Sequence, residues 1–156
     1  MEYLFCAHCG SVYAYDDRNT RYMICPNKLC HRKLFEIDEN MIVPIRILNK
    51  KGYKTAWCCS GHIFTNICGG YIAFNPDIVL PDKSPKGWKY DKTPLEASGC
   101  HCIRYDFKSC KSEIDRTKMI FSKTLSLIKW CEELPEYGLH NAINTSTQIG
   151  GDRNDI

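Results

Sequence analysis

The chain has no long hydrophobic run. No segment of its 156 residues approaches the roughly 18 consecutive apolar residues that a membrane span needs. Its first residues, MEYLFCAHCG, also lack the basic start and the apolar stretch of about 7–15 residues that form a secretory signal. The sequence therefore predicts a cytoplasmic protein without a membrane partner.

The chain also lacks internal repeats, low-complexity tracts and a glycine-rich phosphate loop. Hydrophobic residues make up 44% and charged residues 25% of it, which is ordinary for a globular protein and excludes a disordered or fibrous class. A length of 156 residues allows one modest core and a small satellite domain. We expect two domains at most.

Cysteine, in contrast, is abundant, with 11 copies. Thiols stay reduced in the cytoplasm, and an odd number of cysteines cannot be used up by intramolecular disulfides. Metal binding is the chemistry that accounts best for so many cysteines.

The spacing of the first cysteines is typical of a zinc ribbon. Cys6 and Cys9 form a C-x2-C pair followed by Gly10, and Cys25 and Cys30 form a C-x4-C pair. Two tight turns that each present two thiolates can converge on one tetrahedral ion. A unit this small has too little core to fold without a metal or a disulfide. We therefore predict a zinc ribbon over residues 1–38, with Zn²⁺ bound by these cysteines.

Two histidines and the strands complete the predicted ribbon. The second cysteine pair departs from the usual spacing, so His31 is an alternative to Cys30 as the fourth ligand, whereas His8 is expected to be an exposed knuckle residue. The segments SVYAY, TRYMI and KLFEI are rich in β-forming residues and predict three strands. Basic and acidic residues balance in this segment, so we expect it to staple the fold rather than to bind phosphates.

Residues 39–134 predict an α+β domain, in which a small sheet of about three strands is packed with two helices. Apolar residues from Met41 to Leu48 fall on one helical face, Asn40 can cap this helix, and Gly52 supplies its stop. The segments YKTAWCC, GYIAF and HCIRYDF predict strands, and VLPDKSPKGWKYDKTP predicts a loop.

A long amphipathic helix follows. Ser112 and Asp115 have the spacing of a capping pair, and the helix should end before Pro135. The apolar residues of this helix form one broad face: Ile114, Phe121, Leu125 and Ile128, with Ile120, Leu127, Cys131 and Leu134. We expect Leu125 and Ile128 to be buried against the sheet. The polar residues 135–156 show no periodicity and predict a flexible tail.

Positive charge concentrates in the middle of the chain, at Arg46, Lys50, Lys51, Lys54, Lys83, Lys86, Lys89 and Lys92. Such a run is either a solvated face or a binding region for an anion or a nucleic acid.

The segment GYKTAWCCSGHIF places Cys59, Ser60, Gly61 and His62 at the end of a predicted strand. Backbone N–H groups and the serine hydroxyl of such a turn can bind an anion, with His62 and Lys54 supplying charge. A strand end with a polar turn, and a nucleophile with its base formed by Cys59 and His62, are alternatives. A further alternative is a second metal site, built from Cys59 and His62 with some of Cys68, Cys100, His101, Cys102 and Cys110.

A helix ending ILNKKGY, followed by KT, CSGH and GYIAF, resembles a set of uncharacterised zinc-ribbon proteins of Gram-positive bacteria and their phages, over about residues 1–134. Thr55 and the run 59–61 also resemble part of the signature of the wybutosine-synthesis tRNA methyltransferase family, a Thr followed by Ser-Cys-Ser-Gly-Arg at a strand end. Cys58 and His62 stand where that family has serine and arginine. The first resemblance implies the cytoplasm of a bacterial or phage-infected cell, and the second implies nucleic-acid modification.

Together these patterns predict a zinc-binding accessory protein that recognises an anionic partner, a nucleic acid or a nucleotide, through residues 50–92 and the turn at residues 59–62. One alternative is a phage-encoded protein-interaction factor that modulates a host protein through the ribbon and its aromatic surface, Tyr3, Tyr13, Tyr15 and Tyr22. The other is a nucleic-acid-modifying enzyme, although no residue is assigned a catalytic role.

Overall fold

The computed structural model describes residues 2–14, 23–64, 69–91 and 99–138 of the chain. This part of the chain contains two α-helices and two small antiparallel sheets, so the fold class is α+β, as predicted. Among the residues described, no helix is long and apolar enough to cross a membrane.

The amino-terminal sheet has the strand order β2-β1-β3, and both pairs are antiparallel. Its strands are β1 (Glu2–Phe5), β2 (Val12–Ala14) and β3 (Phe35–Asp38). Strands β2 and β3 overlap the predicted segments SVYAY and KLFEI. Sequence analysis does not predict β1, which is too short to show an alternating pattern. Of the segment TRYMI only Met23 and Ile24 are described, and Ile24 forms an isolated bridge with Lys33.

The central sheet has four antiparallel strands in the order β4-β5-β7-β6, instead of the predicted three or so. They are β4 (Thr55–Cys59), β5 (Tyr71–Phe74), β6 (Lys89–Asp91) and β7 (His101–Arg104). The additional strand, β6, lies in the segment that the sequence assigns to a loop. Its three residues follow prolines and lysines, and it is a strand because Tyr90 pairs with Ile103 and packs on the core.

The helices begin and end close to the predicted positions. A short 3-10 turn (Glu39–Met41) leads into α1 (Ile42–Lys50), and the Asn40 side chain does not cap α1. Gly52 has a φ of +93°, the left-handed conformation expected of a helix stop. Helix α2 (Glu113–Glu133) begins with the predicted capping box, in which Ser112 and Asp115 each accept a backbone N–H of the other.

One hydrophobic core joins the amino-terminal sheet to the rest of the chain. Phe5 of β1 and Ile37 of β3 are 3% and 5% exposed, and they belong to the same cluster as Leu48 of α1, Ile72 of β5 and Leu127 of α2. A smaller cluster surrounds the first cysteines and consists of Leu4, Cys6, Cys25 and Leu34. The amino-terminal sheet therefore contributes apolar surface to both clusters.

Helix α2 buries only part of the broad apolar face that the sequence predicts. Leu125 is 57% exposed, so its predicted burial is wrong; the other large apolar side chains of this helix that remain more than half exposed are Ile114 and Phe121. The residues that are buried are Ile120, Leu127, Trp130 and Cys131. The two apolar stripes run side by side with the same helical spacing, so periodicity cannot decide which of them packs on the sheet.

This orientation predicts opposite results for two leucines of one helix. Leu127→Ala should lower the free energy of unfolding by about 3 kcal/mol, because it leaves a cavity in the main core. Leu125→Ala should change it by less than about 0.5 kcal/mol, since the side chain already contacts water. Urea denaturation of the two variants tests this. A larger loss for Leu125→Ala than for Leu127→Ala would show that the helix is rotated.

Residues 135–138, which the sequence assigns to the flexible tail, are held by Tyr137. Its ring packs edge-on against buried Tyr53, with the ring centroids 5.2 Å apart, and its hydroxyl donates to the Asp77 carbonyl at 2.8 Å. The remaining predicted tail, 139–156, lies outside the described residues.

Candidate metal centre and adjoining cleft

Four cysteines, here called the cysteine cluster, converge at the turns of the amino-terminal sheet. The sulfur atoms of Cys6, Cys9, Cys25 and Cys30 all lie within 4.8 Å of one another. The Cys6 and Cys30 sulfurs are 3.5 Å apart, and those of Cys9 and Cys25 are 3.6 Å apart. A tetrahedral ion with metal–sulfur bonds of about 2.3 Å holds its sulfurs about 3.8 Å apart. The predicted cysteines can therefore hold a metal ion together.

Each cysteine pair lies on a tight turn that the local sequence forms. The Gly10 N–H donates to the Cys6 carbonyl at 2.8 Å, and Gly10 has a φ of +72°, where a side chain would be strained. In the second turn the Cys30 N–H donates to the Asn27 carbonyl at 2.8 Å, and Asn27 Oδ1 accepts from the Leu29 N–H at 3.0 Å. The turns fix the positions of the sulfurs within each pair.

Cys30 belongs to the cluster, and the alternative ligand His31 does not. The side chain of His31 is exposed, and its φ is +46°. His8 is also exposed, as predicted, and its Nδ1 atom lies 3.5 Å from the Cys30 sulfur. The Tyr13 hydroxyl lies 3.4 Å from the Cys25 sulfur. Polar neighbours of this kind orient metal ligands.

The thiols couple metal binding to pH. Burial raises the pKa of Cys6 to about 12, whereas the Ser11 hydroxyl, 3.2 Å from the Cys9 sulfur, lowers the pKa of Cys9 to about 6. Because thiolates are the form that binds metal, the proton on Cys6 must leave on binding. Metal affinity should therefore rise with pH.

A cleft of about 790 Å³ lies between the amino-terminal sheet and the central sheet. The amino-terminal side contributes Lys33 and Phe35, and the Lys33 ammonium lies 6.0 Å from the Phe35 ring centroid. A hydrogen bond joins the two sides, because the Ser60 N–H at the end of β4 donates to Asp38 Oδ2 at the end of β3, at 2.6 Å. The two sheets are thus connected at one end of the cleft.

The register of the central sheet places two rows of side chains on its open face, the face that borders the cleft. One row is Trp57, Ala73, Cys102 and Asp91, and the other is Cys59, Tyr71, Arg104 and Lys89. Ala73 and Cys102 in the middle of the first row are buried, and Lys89 lies on this face outside the lining of the cleft. The opposite face carries Cys58, Ile72, Ile103 and Tyr90, all of which pack in the main core. Because strand side chains alternate, packing of one face against the core turns the other away from it. Trp57 is 50% exposed.

The charges at the cleft are mixed. Arg104 forms an ion pair with Asp91 at 2.6 Å, while Lys33 and Glu36 line the amino-terminal side. Large aromatic surfaces, those of Phe35, Trp57 and Tyr71, accompany these charges. The arrangement can therefore hold a ligand that has a planar, uncharged part.

Sequence analysis does not predict most of these residues as site residues, although their spacing in the strands indicates that they share a face. The predicted strands already place Trp57 with Cys59, Tyr71 with Ala73 and Cys102 with Arg104, each two residues apart and so on one face. Which face would be open depends on the helices, and the sequence does not show this.

The turn predicted to bind an anion has a carboxylate of the same chain as a partner. Ser60 is buried, its N–H donates to Asp38, and its carbonyl accepts from the Tyr105 hydroxyl at 2.5 Å. The Gly61 N–H donates to the Cys59 sulfur at 3.3 Å. Of the residues predicted to bind a ligand here, Cys59 and His62 line the cleft.

The neighbouring lysines do not gather at this turn. Lys54 precedes β4, at the end of that strand opposite to Cys59. The Lys51 ammonium donates to the carbonyls of Glu132 and Leu134, at 2.6 and 2.5 Å, and so binds the carboxyl end of α2. Lys50 lines a separate pocket beside α1.

The second metal site is not formed by the residues that the structure describes, where the cysteine cluster is the one group of three or more potential ligands. Cys59 and His62 are in contact, with 3.5 Å between Sγ and Nε2, but Cys100 is buried elsewhere and Cys102 lies in the other row of the open face. Cys68 lies outside the described residues.

Comparison of the chain with protein families, with curated proteins and with solved structures finds no match. The resemblances to zinc-ribbon proteins and to the methyltransferase family stay predictions. Function must be argued from the cysteine cluster and the cleft.

Proposed function

We propose that the cysteine cluster binds a structural Zn²⁺ and that the amino-terminal sheet is a zinc ribbon. The sulfur positions fit a closed tetrahedral site, since all the ligands are cysteines and Cys6 and Cys25 are buried. Closed thiolate sites of this type stabilise folds, and catalytic zinc sites keep a position for water or substrate. The metal would hold one side of the cleft in place.

We further propose that the chain is a cytoplasmic accessory protein that binds a nucleotide or a single-stranded nucleic acid in the cleft. The observation that carries this proposal is the open face of the central sheet, with Trp57 and Tyr71 beside Arg104 and Lys89. Aromatic side chains on a sheet surface stack on bases, and each stacked base contributes about 1–3 kcal/mol. Phe35 adds an aromatic side chain on the opposite side of the cleft.

The mixed charge of the cleft favours exposed bases over a duplex. Binding to duplex DNA depends on many cations that neutralise phosphates. Here Asp91 pairs with Arg104, and Asp38 and Glu36 also line the cleft. Stacking must therefore supply much of the affinity, and the phosphates of a bound strand would lie toward Lys33 and Lys89.

Replacing Trp57 by alanine should weaken binding of a short fluorescein-labelled single-stranded DNA by about tenfold, because one stacking side chain is lost. Fluorescence anisotropy measures this dissociation constant. With about two phosphate contacts, those of Lys33 and Lys89, the logarithm of the binding constant should fall with the logarithm of salt concentration with a slope of about −1.4.

Phe121→Ala is the matched control for this experiment, because Phe121 is an exposed aromatic residue on α2 and does not line the cleft. It should bind the oligonucleotide like the unmodified chain. Absence of binding at low salt, or equal binding by the Trp57→Ala variant, would contradict the proposal.

A second candidate function is the protein-interaction factor, and the exposed stripe on α2 favours it. Ile114, Phe121 and Leu125 are 66%, 64% and 57% exposed and follow one another on one side of the helix. A protein partner bound through the stripe would be lost in the Phe121→Ala variant and would be insensitive to salt.

The aromatic surface that the sequence predicts for this role is only partly described. Tyr3 packs against the main core and Tyr13 against the smaller cluster, and both remain partly exposed. Tyr15 and Tyr22 lie outside the described residues.

A further inference from the structure

Cys59 differs from its neighbours in the polar groups around its sulfur. It ends β4 on the open face and lines the cleft. The His62 Nε2 atom lies 3.5 Å from the Cys59 sulfur, and the Gly61 N–H donates to the same sulfur at 3.3 Å. Gly61 has a φ of +91°, a left-handed conformation between the cysteine and the histidine that contacts it.

Three described thiols outside the cysteine cluster have an environment that disfavours the thiolate. Burial raises the pKa of Cys58 to about 12, that of Cys102 to about 11 and that of Cys131 to about 12. A thiolate is the nucleophilic form of cysteine, and hydrogen-bond donors and an adjacent histidine favour it. Cys59 has both, and the cleft gives a small molecule access to it.

We propose that Cys59 and His62 form a nucleophile and its base, and that the pair captures compounds with a carbon–carbon double bond conjugated to a carbonyl as a covalent adduct on Cys59. His62 takes the proton from the Cys59 thiol, and the thiolate adds to the β-carbon, forming a carbon–sulfur bond. The π electrons of the double bond move toward the carbonyl, and the α-carbon then receives the proton from His62. Nothing leaves, and neither an oxidant nor a reductant is needed.

The hydrogen bonds of the turn favour this addition over acyl transfer. Acyl transfer develops an oxyanion that needs backbone N–H donors. The Ser60 N–H already donates to Asp38, and the Gly61 N–H donates to the Cys59 sulfur itself. In conjugate addition the charge is shared between the enolate oxygen and the α-carbon, and the proton that His62 delivers to the α-carbon neutralises it. This inference does not depend on nucleotide binding, because it concerns the turn and its access to the cleft.

The test is competitive labelling of the zinc-loaded full chain with a limiting amount of N-ethylmaleimide, followed by peptide mass spectrometry. Cys59 should be modified at least about tenfold faster than Cys102, and His62→Gln should slow its modification by about tenfold or more, because the base is lost. Cys110→Ser is the matched control and should leave the rate at Cys59 unchanged. Equal rates at Cys59 and Cys102, or an unchanged rate in the His62→Gln variant, would overturn the proposal.

A second variant, Cys59→Ser, tests the proposal if the His62→Gln chain does not fold. If a thermal melt shows that His62→Gln unfolds the chain, Cys59→Ser replaces the sulfur with a smaller oxygen and keeps the turn. The fast phase of maleimide consumption should then disappear, while zinc content stays at one ion per chain. A fast phase that persists in Cys59→Ser would show that another cysteine is the nucleophile.

Discussion

Removal of the proposed zinc is expected to lower the melting temperature of the whole chain by about 6–12 °C, since a loss of about 3 kcal/mol shifts a chain of this size by about 2–4 °C per kcal/mol. Cys6→Ser should have the same effect. Cys6 directly follows Phe5, whose ring is part of the main core, and Ile37 on β3 belongs to the same core. Loss of the metal should therefore loosen the core beyond the amino-terminal sheet.

Elemental analysis and thermal melts measure this effect. One zinc per chain is expected in the purified protein, and none in the Cys6→Ser variant. Cys110→Ser, which changes a cysteine outside the cysteine cluster, should keep both the zinc and the melting temperature. A chain that melts at the same temperature with and without zinc would show that the core does not depend on the site. Another metal at full occupancy would contradict the assignment of zinc.

The features that sequence analysis predicts correctly depend on residues close together in the chain. The capping box needs only Ser112 and Asp115, and the stop of α1 needs only Gly52. The cysteine cluster was predictable for a related reason, because each turn carries its own pair of ligands and a shared ion explains both pairs. The identity of the ion and of the ribbon fold stays a proposal.

The features that sequence analysis misses depend on contacts between distant segments. The exposed face of α2 is set by the core that it meets, since both of its apolar stripes have helical spacing. Strand β6 is set by its pairing with β7. The Ser60 N–H receives its partner from Asp38, 22 residues earlier, so the local motif alone indicated an open anion site.

The position of the cleft depends both on the local sequence of the strands and on contacts between distant segments. Alternation along β4, β5 and β7 sorts the side chains into two faces, and the residue order alone is enough for this step. Burial of Ile72 and Ile103 in the main core then decides that Trp57, Tyr71 and Arg104 remain on the open face. The candidate site is thus a consequence of the packing on the opposite face, and changes that disturb the central sheet should disturb the site.

Gly69 provides the sharpest test of whether the candidate site depends on the packing of the central sheet. Gly69 and Gly70 are buried at the start of β5. A Cβ atom on Gly69 would lie 2.0 Å from the Tyr105 carbonyl oxygen and 2.6 Å from its carbonyl carbon. Both are backbone atoms of the residue that follows β7. The Tyr105 N–H donates to the Gly70 carbonyl at 2.9 Å, so this hydrogen bond extends the pairing of β5 with β7. A rotamer change cannot relieve this clash.

Gly69→Ala should therefore lower the free energy of unfolding by more than about 4 kcal/mol, an unusually large loss for one added methyl group. Gly138→Ala is the control and should be neutral within about 0.5 kcal/mol, because a Cβ atom there meets nothing within 4 Å. Urea denaturation of both variants measures the difference. The Tyr105 hydroxyl donates to the Ser60 carbonyl, so any folded Gly69→Ala protein should also show slower labelling of Cys59. A Gly69→Ala chain as stable as Gly138→Ala would show that β5 and the segment after β7 do not approach each other this closely.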